Sequence, residues 1–206
     1  TVSFEELPTL SYRWLNAILG SLLCVLSYIL SQKLFKNKKF SLLVCFFVAI
    51  DGSLLVDSRV GLINIYLVFF GLCALICAAN AKFVDLQNRH WLLLCGVFIG
   101  LAASIKWNGL GYLLTILSFM AFVIAVRTTD ALRLNHSKKA VEQLHDLVGQ
   151  NNTFSWEYVL YFLIIPLAVY SLIWIPDLRF NTEYDFLEKH QQLLGYHQIM
   201  VTEDEH

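Results

Sequence analysis

The chain has 206 residues, of which 57% are hydrophobic and 15% charged, with a mean hydropathy of +0.60. Soluble domains carry charge on about a quarter of their residues, so this composition excludes an ordinary soluble domain. With a net charge of −1, no basic balance points to a nucleic-acid partner.

In chain order, the apolar blocks are long enough to span lipid. No charge occurs from Trp14 to Gln32, nor from Val60 to Ala81. A bilayer core about 30 Å thick takes roughly 20 apolar residues per helix. Without water at that depth the backbone must satisfy itself, which makes each block a helix. Barrel strands would instead alternate in runs of about ten residues, and no such runs occur. The expected fold is all-α, a polytopic transmembrane helical bundle, with six spans at 14–32, 40–56, 60–80, 91–104, 108–126 and 158–175. The fourth and fifth, separated only by Ile105, Lys106 and Trp107, form either a tight hairpin or two shortened spans. Residues 1–175 make the membrane core, and 176–206 begin an external region. The chain opens at Thr1 without a signal-peptide pattern and closes on a polar tail, which reads as a fragment of a longer protein.

Between the fifth and sixth spans, the hydrophilic segment 127–157 is either a surface helix carrying Arg133, Lys138 and Lys139 or a solvated connector. Lys and Arg set the orientation. One side holds Lys33, Lys36, Lys38, Lys39, Lys82, Arg89, Arg127, Arg133, Lys138 and Lys139; the other holds Arg13, Arg59, Lys106, Arg179 and Lys189. The richer side, including the 127–157 loop, is expected in the cytoplasm. The N-terminus and the tail then face outward. The sequons at Asn135 and Asn151 fall on the cytoplasmic side and read as chance. All five cysteines lie inside apolar blocks, where a thiol packs as a small hydrophobe. No His/Asp/Cys cluster has ligand spacing, so no metal is expected. His190 and His197 read as surface histidines.

The outward cations differ in kind from the inward ones. Arg13, Arg59 and Lys106 each stand alone at the outer end of an apolar span, beside small or aromatic residues. Charges at such depths must snorkel, pair or bind something. Either they are interfacial anchors, paired with Asp51 and Asp57, or they form a site for a lipid phosphate or pyrophosphate.

The residues at these positions resemble a known family. Tyr12-Arg13-Trp14 followed by Gly20, then Asp51-Gly-Ser-Leu-Leu-Val-Asp57-Ser58-Arg59, is similar to the opening motifs of the protein O-mannosyltransferases, glycosyltransferase family 39. Gly100-Leu-Ala-Ala-Ser-Ile-Lys106-Trp107-Asn108-Gly109 resembles that family's Gly…Lys-Trp-x-Gly segment. Pro166-Leu-Ala-Val-Tyr170 and the stretch from His190 to His197 resemble its later motifs, closest to bacterial members. Where the family often carries Asp, six residues after Ser58, this chain has Asn64.

The resemblance implies a partial GT-C-type core that transfers a mannosyl or other hexosyl group. The donor would be a polyprenyl- or dolichyl-phosphate sugar, and the acceptors Ser/Thr hydroxyls of proteins at the outer face. It implies that Arg13, Arg59 and Lys106 bind the donor phosphate, supported by Asp51, Asp57, Ser58 and Trp107. The catalytic acidic pair is expected upstream of this chain, since Glu5-Glu6 has a different context. No cofactor is implied beyond the lipid-linked donor. The expected partners are that donor, an acceptor protein and membrane lipid, with homo- or heterodimers left open. The expected site is the bacterial plasma membrane, or the endoplasmic reticulum in a eukaryote. The competing readings are a sugar transferase acting on lipid A or a glycolipid, and a transporter or flippase subunit, which would carry midplane charges.

Overall fold

The computed structural model describes residues 10–81, 88–132, 156–180, 186–192 and 195, and every regular element among them is helical. Helix α1 (Leu10–Phe35) is ended by Lys36, whose φ of 52° lies in the left-handed region. Asn37 then caps α2 (Lys38–Ile50), its side-chain oxygen accepting from the backbone of Lys39 and Phe40 at 3.1 and 3.2 Å. Buried Ser41 binds Gln32 Oε1 and fastens α2 to α1.

The expected second span, 40–56, is broken. Asp51 is extended, with φ −63° and ψ 118°, and its carboxylate accepts from the Leu54 N–H at 2.9 Å. That cap starts a new helix, α3 (Gly52–Val60), inclined at 54° to α2. After Gly61 the chain turns into α4 (Asn64–Asn80), four residues later than the expected start at 60. Helix α5 (Arg89–Ile105) leads into a 3₁₀ turn at Trp107–Gly109, which reverses the chain into α6 (Leu110–Leu132). Helix α7 covers Glu157–Phe180, and a helical stretch, α8, covers 186–192. The amphipathic loop residues Arg133 to Val148, the two sequons, Glu5-Glu6 and His197 lie outside the described residues.

Two helices are long and apolar enough to cross a membrane, α1 over Arg13–Phe35 and α7; α2 with α3 makes a third if the bent pair is one span. Helices α4 and α5 are apolar but have 17 residues each. At 1.5 Å per residue that is about 26 Å, somewhat short of a typical hydrocarbon core.

Helix α4 packs against α1 and α5, and α5 against α7. The core between them is built of small side chains, with Ala74, Ala78, Cys77 and Cys95 beside Leu92, Ile99 and Phe162. Small residues let helices approach closely where lipid offers no hydrophobic drive between them. The large apolar residues Phe46, Phe47, Leu114 and Leu167 face outward. This arrangement suits an apolar solvent, and it defines an all-α membrane protein.

Residues 160–164 of α7 form a π-helical turn. Pro166 follows after one residue, with no N–H for the carbonyl of Phe162 and a ring that would press on it. The wider turn relieves that conflict, and π turns of this kind often mark functional positions.

Candidate functional site

Long-range polar bonds gather one end of the bundle. Asn16, only 2% exposed, donates from Nδ2 to the Leu62 carbonyl at 2.8 Å and accepts from the Tyr66 hydroxyl at 3.0 Å. The start of α1 is thereby tied to the turn between α3 and α4. At the same end, α5 stops and Lys106 is extended, with φ −152° and ψ 145°. Its Nζ donates to Asn64 Oδ1 at 2.8 Å, across the top of α4. The opposite end is pinned by Arg89 and Glu157 at 3.3 Å, which joins the starts of α5 and α7.

Beside Lys106, Trp107 Nε1–H donates to the Tyr170 hydroxyl at 3.0 Å. That hydroxyl lies 2.6 Å from His190 Nε2, and His190 Nδ1 lies 2.7 Å from the Phe186 carbonyl. A carbonyl only accepts, so Nδ1 carries the proton and Nε2 accepts from Tyr170. The relay therefore runs Trp107, Tyr170, His190, Phe186, with each donor answered. Four aromatic rings surround the imidazole, with centroids 4.2 Å (Phe186), 4.9 Å (Trp174), 5.6 Å (Tyr170) and 6.1 Å (Trp107) away. His190 is thus a half-buried hub, where the sequence reading gave a surface histidine. Lys189, 8% exposed, anchors the same helix to Asp177 at 2.6 Å.

Two cavities meet at this relay. A recess of about 470 Å³ is lined by Ser104, Lys106, Trp107, Asn108, Tyr170 and Trp174. An apolar slot of about 270 Å³ lies between Leu110 and Leu113 of α6 and Phe162, Leu163, Pro166 and Leu167 of α7. Ala103, Trp107 and Tyr170 line both. A cation, polar side chains and a contiguous apolar channel suit an amphiphile with an anionic head.

The predicted site residues divide accordingly. Lys106 and Trp107 are in the recess wall. Arg13 and Arg59 are exposed at the same end, in the first turn of α1 and the last turn of α3. Asp51 is occupied in capping α3, and among the described residues neither it nor Asp57 is paired with a basic side chain. Of the two readings left open for these acids, pairing with the cations is not what the described residues show, since the helix break uses the Asp51 carboxylate on the Leu54 N–H. Ser58 donates to the Leu55 carbonyl and packs on α1, where a Cβ on Gly20 would come within 2.5 Å of the Ser58 Cβ. Likewise a Cβ on Gly100 would meet the Pro166 carbonyl oxygen at 2.7 Å, so α5 and α7 touch backbone to backbone.

His190, Trp174, Asn64 and Asn16 are site residues that the sequence does not single out. Their partners lie far along the chain, but the density of aromatic residues from Tyr170 to Phe186 was a usable signal.

An all-α membrane protein with a cationic, aromatic-walled site at one end is the class these features define. The family profile of dolichyl-phosphate-mannose–protein mannosyltransferases matches residues 1–179, and the chain belongs to that family. A polyprenol-phosphate-mannose–protein mannosyltransferase of Corynebacterium glutamicum is 30% identical over 129 aligned positions, covering 50% of this chain and 24% of that protein. One of the same name from Mycolicibacterium smegmatis is 24% identical over 188 positions, covering 81% and 34%. Protein O-mannosyl-transferase 1 of Danio rerio is 29% identical over 120 positions, covering 56% and 16%. The chain thus spans about a third or less of the length of these relatives. No solved structure matches it.

Proposed function

We propose that this chain forms the donor-binding part of a protein O-mannosyltransferase, holding a polyprenyl-phosphate mannose while the sugar passes to a Ser/Thr hydroxyl. The observation that carries the reading is the position of Lys106, in a polar recess that shares a wall with an apolar slot. A lipid phosphate would lie near the ammonium with its prenyl chain along α6 and α7. As the glycosidic bond breaks, the departing phosphate gains negative charge. Fixed cations at Lys106 and Arg59 then stabilise the transition state more than the ground state. The acceptor hydroxyl must lose its proton to a base, and among the described residues no carboxylate lines the recess.

In this reading the helices cross the membrane six times, α2 and α3 forming one broken crossing. The shorter α4 and α5 are accommodated by local thinning of the bilayer. The recess end, with the N-terminus and the residues after α7, faces away from the cytoplasm, where translocated acceptor proteins are met. The membrane is the bacterial plasma membrane, or the endoplasmic reticulum in a eukaryote, and the assembly is a homo- or heterodimer.

The test is transfer from polyprenyl-phosphate mannose in membranes carrying the protein. Lys106→Ala and Arg59→Ala should each lower transfer by about 10- to 100-fold at unchanged abundance, the scale of losing one transition-state contact. Wild-type rates in both variants would overturn the reading.

A further inference from the structure

We infer that the recess between the turn at 106–108 and α7 is the subsite for the hexose of the lipid-linked donor, with Trp107 and Trp174 as its walls and His190 as the positioning residue that fixes them. This rests on the donor-binding reading above and assigns the sugar a place within it.

The recess combines the two chemistries a pyranose presents. A hexose has C–H faces that pack on aromatic rings and a rim of hydroxyls that need donors and acceptors. Indoles of Trp107 and Trp174 line the recess together with Asn108, Ser104 and Lys106. The Trp107 N–H is already taken by Tyr170, so this side chain offers the recess its ring rather than its donor. Ser104 donates its proton to the Gly100 carbonyl at 2.7 Å and keeps its oxygen as an acceptor. The amide of Asn108 makes no side-chain hydrogen bond among the described residues, and the residue is exposed.

His190 explains how two indoles from separate elements are held as one surface. It lies 4.9 Å from the Trp174 ring and 6.1 Å from the Trp107 ring, and it is bonded to the tyrosine that holds the Trp107 nitrogen. Both imidazole nitrogens are used, so its orientation is fixed. A wall held in place before the ligand arrives does not lose rotamer freedom on binding, which is the general advantage of preorganisation. The slot and the recess share Ala103, Trp107 and Tyr170, so a donor with its chain in the slot brings its phosphate and its sugar into the recess that Lys106 and the two tryptophans line.

The experiment compares, in membranes carrying the protein, the KM of polyprenyl-phosphate mannose with the inhibition constant of polyprenyl phosphate lacking the sugar. Trp174→Ala should raise the donor KM roughly tenfold, the scale of one lost aromatic contact. Asn108→Ala, an exposed change that serves if Trp174→Ala does not fold, should raise it several-fold. Neither should move the inhibition constant of the sugar-free lipid, whereas Lys106→Ala should raise both constants. His190→Phe should behave as Trp174→Ala, and His190→Gln, which keeps an acceptor for Tyr170, should recover part of the loss. Parallel rises in both constants would place the walls against lipid or phosphate and overturn the sugar subsite. An unchanged donor KM, or a rise confined to the acceptor KM, would overturn it too. A wild-type protein that neither uses the mannosyl lipid nor binds the sugar-free one would instead overturn the functional reading beneath it.

Discussion

The indole of Trp107 donates to the hydroxyl of Tyr170 at 3.0 Å, joining residues 63 positions apart. Trp107 belongs to the Lys-Trp-x-Gly segment and Tyr170 to the Pro-x-x-x-Tyr segment, so the bond connects two motifs that are separate in sequence. Tyr170→Phe removes the acceptor for Trp107 and the donor to His190 in one change. Each net hydrogen bond contributes about 1 kcal/mol, so the variant should lose about 1–2 kcal/mol of stability. Thermal unfolding of the purified protein in detergent reads this as a lowered midpoint. An unchanged midpoint would mean the relay adds nothing to the fold.

A second pair of motifs meets at Gly20 and Ser58. Gly20→Ala would place its Cβ 2.5 Å from the Ser58 Cβ, a contact the backbones must move to relieve. Overpacking of this kind costs about 1–3 kcal/mol. Removing the opposing carbon with Ser58→Gly should recover part of that loss, although glycine within α3 costs about 0.5 kcal/mol in its own right. A double-mutant cycle should therefore show clear non-additivity. Additive losses would show that the two helices do not press together at this point.

Most of the helices were legible in the sequence because hydropathy is a local signal. Five of the six expected spans correspond to single helices. The break at Asp51 was not read, since apolar residues continue on both sides of it. The Asp51-Gly52 pair was nonetheless a turn signal, and an Asp three residues before Leu54 has cap spacing. The site was only half legible. Lys106 and Trp107 stood out because a lone cation between apolar spans is unusual. His190 did not, because its aromatic partners come from positions 107, 170, 174 and 186, and no periodicity relates them. For the acids, a shared position at one end of the spans left pairing with the cations open, and only the structure shows the Leu54 N–H taking the Asp51 carboxylate.

Asn64 gives Lys106 an uncharged partner at 2.8 Å. An amide oxygen positions an ammonium without cancelling its charge, which leaves the cation for an anionic ligand. Asn64→Leu should remove that support and lower mannosyl transfer on the order of tenfold, equivalent to a hydrogen bond to a charged group. Asn64→Asp still offers an acceptor oxygen, and because the Lys106 side of the contact is exposed the added ion pair contributes under about 1 kcal/mol. Its transfer rate should remain close to wild type. Equal loss in both variants would mean that the neutrality of the partner matters as much as its grip on the ammonium.

The orientation can be read from two introduced thiols. The Lys and Arg count puts position 36 on the expected cytoplasmic side and position 183 on the expected outer side. Five crossings separate them if α2 and α3 make one broken span. In a background with the five native cysteines replaced, Lys36→Cys should react with an impermeant maleimide only after the membrane is opened. Glu183→Cys should react in sealed cells or right-side-out vesicles. The reverse pattern would invert the protein and move the recess to the cytoplasmic face, away from translocated acceptors. Labelling of both from one side carries different information, because it requires an even number of crossings between them. That outcome would keep the recess but remove one span, with α3 or one of the 17-residue helices α4 and α5 then lying within the membrane without crossing it.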